Sequence, residues 1–318
     1  MKITVLGCGR WGSFIAWYLD SIGNQVTLYG PAGTADIVRF METRSNGILT
    51  LPESITLTDS MDGIAENDVI VISIPSQIVR DLMDELSAYG IHDTVFVLCM
   101  KGIEIETGKR LSEIVSEHTD PTNRVAVWVG PGHPQEFIKG NPNCMVIDSA
   151  DPEVATELAD AFSSDLIRFY YGTDLIGSEV GAAAKNVIGI AAGMLDGYGM
   201  GALKGALMAR GTHEVARLIG AMGGSELSAY GLCHLGDYEA TVFSKFSHNR
   251  MFGESWVKKE KYDALAEGYY TVRALMGLCR RYEVEMPICS AVYRILYEGA
   301  DAKETLGTLF ARKRKSEF

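Results

Sequence analysis

A short apolar run, Lys2–Leu6 (KITVL), passes directly into Gly7-Cys8-Gly9-Arg10-Trp11-Gly12, and the helical pattern Trp11–Ile22 follows. Few sequence features restrict a fold as tightly as G-x-G-x-x-G between a strand and a helix. Gly7 permits the tight turn, Gly9 lets the backbone approach a pyrophosphate, and Gly12 lets the helix lie against the strand. The amides at the helix N-terminus attract the anion. The context predicts a dinucleotide-binding βα unit; the alternative is an α/β turn that merely needs glycines.

Further strands are expected at Gln25–Tyr29, Asp68–Ile74, Thr94–Leu98, Arg124–Val129, Cys144–Ile147 and Leu166–Tyr170. Continuous apolar strands suit a parallel sheet covered on both faces. Their alternation with helical patterns predicts a doubly wound α/β domain of the Rossmann kind over residues 1–172. From residue 173 to 318 the pattern is helical with glycine punctuation, and an all-helical second domain is expected. No Pro/Gly/Ser-rich linker separates the halves, so close packing is expected.

Composition excludes several classes. The 318 residues carry a formal net charge of -12, the opposite of a nucleic-acid footprint. Hydrophobic residues at 47% and charged residues at 22% fit a soluble globular protein. The basic run Ala311-Arg312-Lys313-Arg314-Lys315 reads as a solvated tail. Cysteines at 8, 99, 144, 233, 279 and 289 form no Cys-x-x-Cys pair, so no metal knuckle is expected, and reduced thiols of a cytoplasmic protein are. With a strand starting at residue 2, no signal peptide is expected. The apolar stretch Gly181–Gly193 is interrupted by Lys185 and Asn186 and flanked by Glu179 and Asp196, which argues against a membrane span.

That stretch, GAAAKNVIGIAAG, poses the chemical question. A lysine among small apolar neighbours loses hydration, and desolvation lowers an ammonium pKa. Carbonyl reduction with a dinucleotide needs such a proton donor near the working pH. If Leu175–Leu195 is a helix, its glycines and alanines would let substrate and cofactor approach the backbone, with Lys185 aimed at the carbonyl. The alternative is a lysine snorkelling to solvent. At the end of the second strand, Tyr29-Gly30-Pro31 supplies neither an acid for the ribose of NAD nor an arginine for the 2′-phosphate of NADP, so NAD and NADP remain undecided.

An ordered series of motifs resembles the bacterial-type NAD(P)-dependent glycerol-3-phosphate dehydrogenases over nearly the whole chain. It comprises GCGRWG at 7–12, IPSQIVR at 74–80, KGIE at 101–104, GPGHPQE at 130–136, GSEVGAAAKNVIGIAAG at 177–193 and ARG at 209–211. HLGDYEAT at 234–241, SHNR at 247–250, EG at 267–268 and MPI at 286–288 complete it. The resemblance implies a Rossmann domain, a helical domain, a site in the cleft between them, and interconversion of sn-glycerol 3-phosphate and dihydroxyacetone phosphate with NAD or NADP. It implies Lys185 as the proton-transfer residue, Lys101 as a second lysine near the carbonyl and Asp237 as a catalytic carboxylate. Substrate contacts would come from Lys101, Gly130, Asn186, Thr241, Ser247, His248 and Asn249. Cofactor contacts would come from Gly7, Gly9, Arg10, Trp11, Gly12, Pro75, Lys101, Pro134 and Glu267. No metal is implied, the expected partner is a small phosphorylated substrate, and a homodimer is expected. Asp237 also reads as an Asx turn residue, and Glu267 as a solvated helix glutamate.

Three stretches depart from the family pattern. Gly132-His133-Pro134 stands where the family reads Ser-Phe-Ala, His248 stands where it has an arginine expected to grip phosphate, and Leu203 stands where it has an asparagine ahead of Lys204. His248 could replace the arginine only when protonated; otherwise Asn249, Arg250 or Lys204 would hold the phosphate. The departures leave open a related two-domain reductase acting on another small hydroxy or oxo compound. A non-catalytic nucleotide sensor is a further reading, against which Lys101, Lys185, Asn186 and Asp237 together argue.

Overall fold

A computed structural model of the chain describes residues 1–310; the basic run Ala311–Lys315 lies outside the described residues. The chain forms two compact units, Met1–Lys101 with Lys109–Glu179, and Gly102–Gly108 with the residues from Val180 onward.

The first unit is built on eight strands: β1 (Lys2–Leu6), β2 (Gln25–Tyr29), β3 (Thr56–Thr58), β4 (Val69–Ile72), β5 (Val95–Leu98), β6 (Arg124–Val129), β7 (Asn143–Ser149) and β8 (Ile167–Tyr171). They form one sheet in the order β3-β2-β1-β4-β5-β6-β7-β8. The order reverses direction at β1, the switch point that leaves a crevice at the carboxyl ends of its strands. Helices α1 (Arg10–Ser21), α2 (Ala35–Thr43), α3 (Val79–Leu86), α4 (Leu111–His118), α5 (Pro134–Phe137) and α6 (Pro152–Phe162) connect the strands, giving the expected doubly wound α/β architecture. Two details differ from the sequence reading. The short strand β3 extends the sheet beyond β2. β7 pairs antiparallel to β6, because the connection between them holds only the four-residue helix α5, too little for a crossover. The eleven-residue α6 then restores a parallel β7–β8 pair.

An aromatic core fixes α1 over the sheet. Phe14 stacks on Phe137 with centroids 5.0 Å apart, and Trp128 meets Phe169 edge-on at 4.8 Å. The Tyr18 hydroxyl donates to the Phe162 carbonyl at 2.5 Å, tying α1 to the end of α6.

In the second unit the described secondary structure is helical. Helix α7 (Leu175–Gly197) enters it, followed by α8 (Lys204–Ala221), α9 (His248–Lys258), α10 (Glu267–Tyr282), α11 (Pro287–Tyr297) and α12 (Ala302–Phe310). Between α8 and α9 the chain makes tight turns at Glu226–Tyr230 and Leu235–Asp237, then one wide π-helical turn at Glu239–Phe243. Helix α7 is long and apolar enough to cross a membrane by composition, yet its residues from Val180 to Leu195 are buried in the protein. No disulfide forms, and Cys8, Cys99, Cys233 and Cys289 are buried.

Candidate active site

The glycine-rich turn has the geometry its sequence predicts. Gly7 sits at φ +109°, and a Cβ there would lie 2.2 Å from the Ser73 carbonyl oxygen. A Cβ on Gly12 would lie 1.9 Å from the Gly7 carbonyl oxygen, so helix α1 can approach β1 only with glycine at that position. Gly9 is different: its φ is ordinary, -67°, and nothing lies within 4 Å of its Cβ position. Two glycines are thus needed by the turn itself, and the third keeps open space at the N-terminus of α1. A buried donor, Trp11 Nε1, has no hydrogen-bond partner in the first turn of that helix. A cradle of amides, an open face over Gly9 and an unsatisfied donor fit a dinucleotide pyrophosphate.

The remaining cofactor candidates of this unit, and the substrate candidate Gly130, lie at the same end of the sheet. Pro75 follows β4, Lys101 follows β5, and Gly130 and Pro134 follow β6. Lys101 Nζ donates to the Gly130 carbonyl at 2.8 Å, bridging two neighbouring strand ends. Arg10 begins α1. The structure also explains one departure, Gly132, and the small residue at position 30. Gly132, at φ +147°, would place a Cβ 2.3 Å from the Phe137 ring, so that ring fills the space a side chain would take. At position 30 a Cβ would meet Cys8 Sγ at 2.4 Å and Ile37 Cβ at 2.8 Å, which excludes a ribose-binding acid there. Burial, aided by Asp36, pushes the Cys8 thiol up to about 11, so it packs as an uncharged side chain. Nor does Arg44 present a free guanidinium for a 2′-phosphate: it donates to the carbonyls of Leu51, Pro52 and Ile55.

In the second unit, α7 presents Lys185 to the segment that precedes α9. Lys185 is 5% exposed and does not snorkel. Its Nζ lies 2.6 Å from Asp237 Oδ2 and donates to Thr241 Oγ1 at 2.7 Å. The Thr241 hydroxyl in turn donates to Asp237 Oδ1 at 3.5 Å. Asp237 therefore lies in the closed Lys185–Asp237–Thr241 triangle rather than acting as a turn residue alone. Asn186, next on α7, is also buried. Gly268 packs on its carbonyl, and Gly268 N donates to Asn249 Oδ1 at 2.9 Å, drawing α7, α9 and the start of α10 at Glu267 together. Ser247 caps α9 by accepting from Arg250 N at 3.3 Å. His248 Nδ1 shares a 2.5 Å hydrogen bond with the Tyr262 hydroxyl.

The glycines of α7 serve a purpose other than the expected approach of substrate and cofactor. A Cβ on Gly193 would lie 1.9 Å from the Arg250 carbonyl oxygen, and one on Gly253 2.1 Å from the Ile190 carbonyl oxygen. Helices α7 and α9 thus cross in backbone contact, and Gly189 and Gly197 extend the seam toward Thr241 and Val257. The two other cations considered for phosphate are engaged inside the unit. Lys204 Nζ and Arg250 Nη1 converge on Asp196 Oδ2 at 2.6 and 2.8 Å.

One buried contact went unread in the sequence. His234 Nδ1 lies 2.8 Å from the Gly181 carbonyl, so Nδ1 carries the hydrogen and Nε2 accepts from the Tyr238 hydroxyl at 2.6 Å. Burial pushes this histidine down to about 4 and keeps it neutral. The motif HLGDYEAT contained the residue and its partner Tyr238, but the Gly181 carbonyl lies on α7, far away in sequence.

A Rossmann sheet with an open glycine cradle and a helical unit holding a buried lysine–aspartate pair define a nicotinamide-dinucleotide oxidoreductase. Comparison with known proteins gives the family. Residues 2–155 match the N-terminal domain, and residues 174–307 the C-terminal domain, of NAD-dependent glycerol-3-phosphate dehydrogenase. The chain belongs to that family. It is 36% identical over its full length to glycerol-3-phosphate dehydrogenase [NAD(P)+] of Chlorobium phaeobacteroides, covering 99% of that protein. It is 34% identical, with the same coverage, to the enzyme of that name from a Thermoanaerobacter species. Among solved structures it is similar to glycerol-3-phosphate dehydrogenase of Coxiella burnetii, with a TM-score of 0.90 at 26% identity over 98% of this chain and 99% of that one.

Proposed function

We propose that the protein interconverts sn-glycerol 3-phosphate and dihydroxyacetone phosphate with NAD or NADP, as a cytoplasmic homodimer. Residues 1–172 are assigned mainly to the dinucleotide and residues 173–318 mainly to the substrate. The observation that carries the reading is the buried Lys185, held by Asp237 and Thr241 in a chain that also carries the glycine cradle.

A bound dinucleotide would supply or accept the hydride, and the residues of this chain manage the proton. Gly7, Gly9, Arg10, Trp11 and Gly12 would hold its pyrophosphate, with Pro75, Lys101, Pro134 and Glu267 as further contacts. Lys185 donates its proton to the carbonyl oxygen in reduction and recovers one from the hydroxyl in oxidation. Asp237 and Thr241 fix two directions about the Lys185 ammonium, and so its orientation. Asp237 also balances its charge where water does not. Lys101 offers a second cation to the developing alkoxide. In the helical unit Asn186, Ser247, His248 and Asn249 are assigned to substrate contact; Gly130 is the corresponding assignment in the Rossmann unit.

The test is NADH and NADPH consumption by the purified protein with dihydroxyacetone phosphate and a panel of small 2-oxo compounds. Turnover of dihydroxyacetone phosphate above the panel is expected. Turnover confined to another oxo compound, with none on dihydroxyacetone phosphate, overturns the substrate and leaves the hydride chemistry. The His248 and Gly132 departures are what give that second outcome its weight.

A further inference from the structure

Lys204 is a buried cation to which the proposed reaction assigns no role. It begins α8, is 7% exposed, and donates to Asp196 Oδ2 at 2.6 Å and to the Val242 carbonyl at 3.0 Å. The Phe243 ring centroid lies 5.1 Å from the same ammonium. Burying a charge is costly, and an apolar side chain would fill this space without that cost. The charge satisfies a carbonyl for which the helix geometry provides no donor. Glu239–Phe243 is a single wide turn, and Ser244 leaves it in extended conformation, so the last carbonyls of the turn have no following helical N–H groups. Val242 bears one of them. Its neighbour in the chain is Thr241, the hydroxyl that holds Lys185.

We infer that Lys204 is a positioning residue for the reaction: by holding the Val242 carbonyl it fixes the wide turn that presents Thr241 to Lys185. Asp196, the carboxylate that anchors Lys204, lies on α7, so the ammonium braces the turn against the helix that carries Lys185. The turn also seats directly on that helix: a Cβ on Gly189, one turn beyond Lys185, would lie 2.8 Å from Thr241 Cγ2. Wide turns of this kind are frequent at functional sites. The inference rests on the proposed function only through the role of Lys185.

Removing Lys204 leaves Asp196 paired with Arg250 at 2.8 Å, so the fold keeps a partner for that carboxylate. Lys204→Met is expected to lower kcat about 10- to 100-fold, the range for a misplaced catalytic group, with dinucleotide Kd unchanged. Lys204→Arg is expected to recover most of the loss, because it keeps the charge and donors. In a Thr241→Val background, Lys204→Met is expected to cost no further turnover, since the contact it protects is already gone. Hydrogen exchange across Glu239–Phe243, read without substrate, is expected to quicken in Lys204→Met. Lys204→Gln serves the same comparisons if the methionine variant does not fold. The inference fails if kcat stays within about twofold of wild type, or if the loss is equally large in the Thr241→Val background. It fails also if the arginine variant loses as much as the methionine variant, or if exchange of the turn is unchanged. Turnover is read on dihydroxyacetone phosphate, or on whichever oxo compound the wild-type protein reduces. Wild-type inactivity on dihydroxyacetone phosphate counts against the proposed substrate; the variant-to-wild-type ratio and the exchange rates decide the role of Lys204.

Discussion

Replacing Lys185 by methionine separates its two roles, as acid and as partner of Asp237. The pair is buried, with side chains 6% and 1% exposed and 2.6 Å between Nζ and Oδ2. Removing one member of such a pair typically costs about 3–5 kcal/mol, because the other charge stays out of water. The Thr241 hydroxyl still donates to Asp237 Oδ1 after the lysine is gone, over a long 3.5 Å. A loss near 3 kcal/mol follows, which at about 2–4 °C per kcal/mol lowers Tm by about 6–12 °C. The double variant Lys185→Met/Asp237→Asn removes both charges and is expected to regain most of that stability. Turnover behaves differently. Both variants are expected to lose about 10²–10⁴-fold in kcat, the contribution of a positioned acid. Dinucleotide Kd is expected to stay near wild type in both, since the cradle is in the other unit. Thermal unfolding, cofactor titration and steady-state kinetics on the three proteins make the comparison. A single variant with wild-type Tm would refute the buried-pair argument, and a double variant with restored kcat would refute Lys185 as the proton donor.

Gly9→Ala and Gly12→Ala are expected to part company: the first keeps Tm and loses about tenfold or more in dinucleotide affinity, because only open space surrounds its Cβ position. The second does not fold stably, because its Cβ would meet the Gly7 carbonyl oxygen at 1.9 Å; equal behaviour in a thermal and binding assay contradicts this. Glu214 accepts from the backbone N–H groups of Ile288 and Cys289, and burial pushes it from 4.5 up to about 7. Between those values the native state holds a proton that the unfolded chain releases, so its contribution falls as pH rises through that window and is flat above it, by about 3 kcal/mol in all. Glu214→Gln is expected to be less stable than wild type near pH 5 and to close the gap near pH 8; denaturant midpoints showing the same gap at both would overturn it. His248→Arg restores the cation usual in the family and is expected to lower KM for dihydroxyacetone phosphate by up to about tenfold, or about 1.4 kcal/mol, with kcat little changed; an unchanged KM removes His248 from the phosphate site.

Much of the first unit was legible in the residues because its signals are local. A strand that is buried on both faces shows as an apolar run, and a turn that needs φ above zero shows as glycine. Gly7, Gly9 and Gly12 therefore show separate purposes in the sequence alone. Lys185 was legible for the opposite reason: a charge among alanines and glycines breaks the local pattern. What stayed hidden depends on partners distant in sequence. Thr56–Thr58 is too short to show a period, and an apolar run such as Asn143–Ser149 carries no sign of its direction beside β6. The glycines of α7 looked suited to a ligand, and tertiary structure gave them to a backbone crossing with α9. Lys204 and Arg250 read as candidate phosphate holders, and the fold places Asp196 between them. Sequence by itself determined which residues bring charge, bulk or backbone freedom, since those are properties of single residues and short spans. Only the tertiary structure decided which charge meets which, because pairing energy depends on distance and burial across the fold.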